Sequence, residues 1–340
     1  MPGISAANTR SAANTPMVSW RAPVCETAPV TDTQFTELAS GLEFPEGPVA
    51  LPDGSIVLVE IAGKRITRVN ADRTTETLAE VHGGPNGLAV GPDGSLFVCN
   101  NGGSFTFVDL DGLLLPGPFD PDNYSGGLIQ RLDADGSLVD LYTNWEKRPL
   151  RAPNDIVMDG LGGFYFTDHG IHDSRARTAD LSGLYYAKCD GSDIHEVAFP
   201  TNSPNGIGLS PDGSVLYYAE TYTGRVFRRR IVEPGVLEPL ATMIELDPYA
   251  LLAGLPGMEL FDSLAVDGDG WICVGSLVRG GITSISPDGA SIEHLSTGDP
   301  LTTNICFGGD DLRTAFITLS GTGRLVSTPW ARNGLRLAHQ

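Results

Sequence analysis

The sequence predicts an all-β fold, a six-bladed β-propeller, and three observations predict it. No segment sustains a helical period. The 42 glycines and 24 prolines are spread evenly over 340 residues, as many short strands joined by turns require. One unit also recurs six times: a polar side chain, a short apolar segment, a turn, then a second apolar or aromatic strand.

Taken in chain order, residues 1–30 are rich in Ala, Asn, Thr and Pro and read as a flexible tail, leaving 31–340 as a single propeller domain. The copies begin at Glu46 (EGPVALPDGSIVLVE), Asn86 (NGLAVGPDGSLFVCN), Asn154 (NDIVMDGLGGFYFTD), Asn205 (NGIGLSPDGSVLYYAE), Asp262 (DSLAVDGDGWICVGS) and Asn304 (NICFGGDDLRTAFIT). In the first five a glycine (Gly54, Gly94, Gly162, Gly213, Gly270) follows the leading residue by eight positions, where a hairpin turn needs positive φ. The sixth copy lacks it. Segments such as Gly183 to Ala187 and Arg225 to Ile231 supply further strands, so each repeat has the length of a four-stranded blade. A β-sandwich or barrel with coincidental Pro-Asp-Gly turns is the alternative. Against it stands the leading polar residue, which a strand devoted to burial has no need to repeat six times.

Lys plus Arg number 22 against 42 Asp plus Glu, a net charge of -20, which repels phosphate backbones and anionic lipid and excludes nucleic acid and membrane surfaces as partners. Five scattered cysteines (Cys25, Cys99, Cys189, Cys273, Cys306) form no C-x-x-C pair, so neither a disulfide framework nor a zinc site is expected. The N-terminus lacks the charged start and apolar stretch of a secretory signal, and no apolar run is long enough to span a bilayer, so a cytoplasmic location is expected.

In a propeller, equivalent positions near the start of each innermost strand converge on the central channel. The leading residues would there form a ring of Glu, Asn, Asn, Asn, Asp and Asn, all oxygen donors, which suits a hard cation such as Ca²⁺. Glu46 and Asp262 would balance its charge. Mg²⁺, Mn²⁺ or Zn²⁺ are the other ions to test. Any one Pro-Asn-Gly is commonly just a turn. Here Pro85-Asn86-Gly87, Pro153-Asn154-Asp155 and Pro204-Asn205-Gly206 share a register with Glu46 and Asp262, which independent turns would not be expected to do.

At these residues the chain resembles the SMP-30/gluconolactonase/LRE-like family of calcium-dependent lactonases, from about Phe35 to Trp330. The resemblance rests on Phe44-Pro45-Glu46-Gly47-Pro48-Val49, on Ala152-Pro153-Asn154-Asp155-Ile156-Val157 followed by Phe164-Tyr165-Phe166-Thr167-Asp168, and on Ser203-Pro204-Asn205-Gly206-Ile207. It implies Glu46, Asn154, Asn205 and Asp262 as metal ligands. Many relatives have Pro-Asp-Gly at the last position, where this chain has Phe261-Asp262-Ser263. Asn86 and Asn304 complete the ring as substrate-facing residues.

The implied reaction is hydrolysis of a small-molecule lactone, its carbonyl polarised by the ion and attacked by water. Candidates for the base are Asp262, Asp155 and His169, in that order. The segment His169 to Leu181 reads as a loop over one face, Asp109 to Tyr124 as an apolar wall suited to a substrate less polar than a sugar lactone, and Arg228-Arg229-Arg230 as a charged strand edge. Hydrolysis of another ester or a phosphotriester at the same site, and a non-catalytic binding scaffold, are the competing functions.

Overall fold

The computed structural model describes residues 34–240 and 250–339, and all regular structure in them is β. The N-terminal tail and Cys25 lie outside the described residues. No described helix is long and apolar enough to cross a membrane.

Six antiparallel sheets form the blades, and each innermost strand begins one of the repeated units: Pro45–Ala50, Pro85–Val90, Pro153–Met158, Pro204–Leu209, Leu260–Val266 and Thr302–Gly308. Blade 1 continues outward through Ile56–Glu60, Arg65–Val69 and Thr75–Glu80, and the other blades are built on the same plan. Blade 6 borrows its outermost strand from the start of the domain, since Thr36–Ser40 pairs with Arg324–Pro329. Pairing of the two chain ends closes the ring and removes the sheet edge each would expose.

The inner strands are buried on both faces, because successive side chains pack against the two neighbouring blades, Ile156 against blade 2 and Val157 against blade 4, for example. A separate apolar cluster fills each of the six junctions: Val57, Val59 and Val98 between blades 1 and 2, for example, and Phe97, Phe164 and Phe166 between blades 2 and 3. At the axis the strands approach backbone to backbone. A Cβ on Gly87 would lie 2.4 Å from the Asn154 carbonyl oxygen, and one on Gly206 would lie 2.5 Å from the Leu264 nitrogen. Glycine is required there by space.

The turn expected at each hairpin is present, with φ between 70° and 93° at the five glycines. In the sixth copy Leu312 stands eight residues after Asn304 and takes φ 56° itself. Two expectations need correcting. The arginine run belongs to Arg225–Glu233, the third strand of blade 4 and not its edge, because chain adds outside it: the Arg228 N–H donates to the Ala250 carbonyl and the Glu238 N–H to the Arg230 carbonyl. The segment after His169 contains a small hairpin, His172–Asp173 with Thr178–Ala179, held at its base by the Asp180 carboxylate on the Ile171 N–H.

Candidate active site

Each inner strand runs from the mouth of the channel toward its far end, and five of the six break register at their leading polar residue or just beyond it, whereas in blade 6 the break falls one residue earlier, at Thr303. A bulge re-aims the side chain it carries. Here it turns Glu46, Asn86, Asn154, Asn205 and Asp262 into one cavity of about 250 Å³. His169, which directly succeeds the second strand of blade 3, joins them.

The ring is only partly satisfied. Glu46 Oε2 accepts from Asn304 Nδ2 at 2.7 Å and from the Gly47 N–H at 2.6 Å, whereas Glu46 Oε1 is buried without a partner. Asn154 Oδ1 is buried without one too. Asn205 donates to Thr221 Oγ1 at 3.1 Å, and its Oδ1 lies 3.4 Å from Ser263 Oγ. Burial, opposed by Asn304 and the Gly47 N–H, pushes the Glu46 carboxyl up to about 7. Burial and then the Glu46 charge raise Asp262 well above the carboxylate range. Two desolvated carboxyls facing each other beside unpaired amide oxygen are short of positive charge. Among the described residues no three His, Cys, Asp or Glu side chains converge, so a cation at this ring would draw on two carboxylates and the asparagine oxygens. That is a donor set for a hard ion.

His169 is buried, and its Nδ1 lies 3.3 Å from the Gly170 carbonyl. A donating Nδ1–H leaves Nε2 as the acceptor. Burial pushes this imidazole down to about 4, so it is neutral at pH 7.

Two predicted residues lie elsewhere. Asp155 is on the inner side of the ring, where its oxygens accept the Ile156 N–H at 2.9 Å and the Ile207 N–H at 3.0 Å; burial and then Glu46 push it up to about 8. It ties blade 3 to blade 4. Asn304 also stays outside the mouth cavity, with Oδ1 on the Ile305 N–H and Nδ2 on Glu46, so it orients the glutamate and does not face a substrate. Asn154, next to Asp155, points into the cavity, and alternation along a strand sends adjacent side chains opposite ways.

A second set of positioning residues escaped the sequence reading. Glu60, Asn100, Asp168 and Glu220 each end the second strand of a blade, and each accepts backbone N–H groups from the loop that leads into the same blade's inner strand: Glu43, Gly84, Arg151 with Ala152, and Asn202. Their signal was legible, since four of the six repeats close on an acid or amide after an apolar run. The wall of the cavity comes from the turns between second and third strands and from the hairpin Thr106–Leu110 with Leu113–Gly117. That hairpin reaches across from blade 2, packing Phe107 against Phe44 with the rings tilted and their centroids 4.9 Å apart, and donating from Leu114 N to Gly321 O of blade 6.

A sequence model described as the SMP-30/Gluconolactonase/LRE-like region matches residues 44–321. A curated relative, lactonase drp35 of Staphylococcus saprophyticus, is 28% identical over 275 residues, which are 78% of this chain and 74% of that protein. Among solved structures, a gluconolactonase of Xanthomonas campestris superposes with a TM-score of 0.67 at 23% identity, covering 88% of this chain and 90% of its own. The calcium-binding protein regucalcin of Agrobacterium tumefaciens gives 0.67 at 17% identity, over 90% and 98%. At these identities the two structures speak for the propeller fold alone.

Proposed function

Because the chain belongs to the SMP-30/gluconolactonase/LRE-like family, we propose that it is a lactone hydrolase in which Glu46, Asn154, Asn205 and Asp262 hold one divalent ion, Ca²⁺ being the ion their oxygens suit best. The relative named a lactonase supports the reaction class. The observation that carries the metal reading is the pair of buried, partnerless oxygens, Glu46 Oε1 and Asn154 Oδ1, beside two carboxyls that burial leaves short of positive charge. A buried unpaired acceptor costs about 1–3 kcal/mol, so its retention in one ring points to an occupant.

The chemistry such an ion supplies is polarisation of an ester carbonyl. The chain's residues do the rest. Asn86 faces the cavity and donates to substrate oxygen, while the apolar wall limits bulk water. Water adds across the ester: its oxygen bonds the carbonyl carbon, the ring C–O bond breaks, and its proton ends on the departing oxygen, giving a hydroxy acid. Asp262 is the carboxylate in position to carry that proton, with His169 Nε2 the second acceptor in the same cavity. Asp155 has no part in it, since both its oxygens hold backbone N–H groups.

The test is lactone hydrolysis monitored by pH drift, on protein stripped with chelator and refilled with Ca²⁺, Mg²⁺, Mn²⁺ or Zn²⁺. Loss on stripping and recovery with a hard cation is expected. Full turnover after stripping would overturn the metal reading, and no turnover of any lactone with any of the ions would overturn the hydrolase.

A further inference from the structure

We infer that the substrate is an uncharged lactone whose ring carries an apolar alkyl or aryl substituent, not a polyhydroxylated sugar lactone; this rests on the proposed hydrolase function and names its substrate class. The polar and apolar residues of the cavity are segregated. The five ring side chains form its floor, while nine of its eighteen lining residues carry apolar side chains, chiefly in the wall. None is Lys or Arg, so no cationic side chain of the wall is there to pair with a charged substituent. At the floor's margin Thr221 Oγ1 already accepts from Asn205. Hydroxyls on a bound ring would leave water and find few partners on this wall, whereas an alkyl chain would leave water for Phe105, Phe107, Leu277 and Val278.

Val278 is an independent sign. It sits in the turn between the second and third strands of blade 5, at φ 70°, with its N–H on the Pro300 carbonyl at 2.7 Å. Valine is among the residues least suited to that conformation, and glycine or asparagine would hold it without strain. Its side chain nonetheless lines the cavity and stays 54% exposed. A strained β-branched residue that packs into no core, kept at the lip of a binding cavity, is placed to meet a ligand.

The experiment compares kcat/KM of the Ca²⁺-filled protein for γ-butyrolactone bearing no substituent or an ethyl, butyl or hexyl group, and for gluconolactone. Each methylene the wall covers should raise kcat/KM about fourfold, with gluconolactone the poorest substrate. A flat or falling series, or a preference for gluconolactone, would overturn the inference and leave the hydrolase intact. γ-Alkyl lactams, titrated by calorimetry, read the wall without turnover: their affinity should rise with chain length even if no lactone is opened, and an unchanging affinity also overturns it. Val278→Asn keeps the backbone conformation and is expected to flatten the chain-length slope, and an undiminished slope removes Val278 from the wall.

Discussion

The two ends of the central channel are built from the same six strands and treat polar atoms in opposite ways. At the mouth, Glu46 Oε1 and Asn154 Oδ1 are buried with no partner. One residue further along, Asp155 is equally buried, yet both its oxygens accept backbone N–H groups and join two blades. Beyond it lies a second cavity, of about 200 Å³, lined by inner-strand residues such as Val49, Val90 and Leu209 and covered by the C-terminal segment Leu335 to Ala338. That segment is fastened by Gly334 N on Leu312 O and Gly268 N on Asn333 O. At this end the buried acid is paired and the channel is covered. Spare oxygens sit where a ligand can reach them.

The largest test of that contrast is Glu46→Gln. It is expected to lower kcat/KM by roughly 10³-fold, the several kcal/mol that a lost metal contributes. It should also abolish the rise in Tm that added Ca²⁺ gives the parent protein. A calcium response that survives in Glu46→Gln would remove this residue from the ligand set. Asp155→Ala should do the reverse, costing about 2–3 kcal/mol in denaturant unfolding because two buried N–H groups lose their acceptor, with turnover per folded molecule retained. A loss of turnover larger than the loss of stability would return Asp155 to the chemistry.

Asn304→Ala probes the bond between the two sides of the ring. By freeing the glutamate it holds, the substitution is expected to weaken Ca²⁺ affinity by about 10–100-fold, measured by calorimetry. The pH dependence is a smaller effect. Burial pushes His169 and His294 each down to about 4 from an ordinary 6.5. Between those values the unfolded chain binds the protons and the folded one does not, so the contribution of these two histidines to stability is full above about 6.5 and falls as pH drops towards 4. His294→Gln should lessen that acid loss in thermal melts while leaving the mouth untouched, since His294 lies in the outer strand Ile292–Ser296. The smallest expected change is Leu312→Gly at the covered end. Relief of the left-handed strain, less the entropy glycine adds to the unfolded chain, should raise stability by about 0.5–1 kcal/mol with no change in turnover.

The repeat was legible because a blade is a local object. Apolar runs, turn glycines at a fixed offset and a leading polar residue all lie within fifteen or sixteen residues, and six copies speak more loudly than one. The turn at Leu312 was not legible, because leucine carries no turn signal and its φ is imposed by the strands on either side. Nor was the hairpin between His172 and Ala179, which is only two residues wide on each side. The arginine run was misplaced at an edge because strand order within a blade depends on where later segments of the chain pair, and here Glu238 and Ala250 bond its backbone from outside.

The sequence by itself determined the fold class, the number of blades and the polar residues that head five of them, since these depend on patterning that each repeat states alone. Only the tertiary structure decided which of those heads share a cavity. Asn304 and Asp155 bear the right chemistry, but the bulge and the alternation of each strand turn the first onto Glu46 and the second onto the neighbouring backbone. The apolar wall, too, comes from turns of several blades and a hairpin that crosses the mouth, groups far apart in the chain that ring closure brings together. A single strand states its own pattern, but the partner of each side chain is set by the blades beside it.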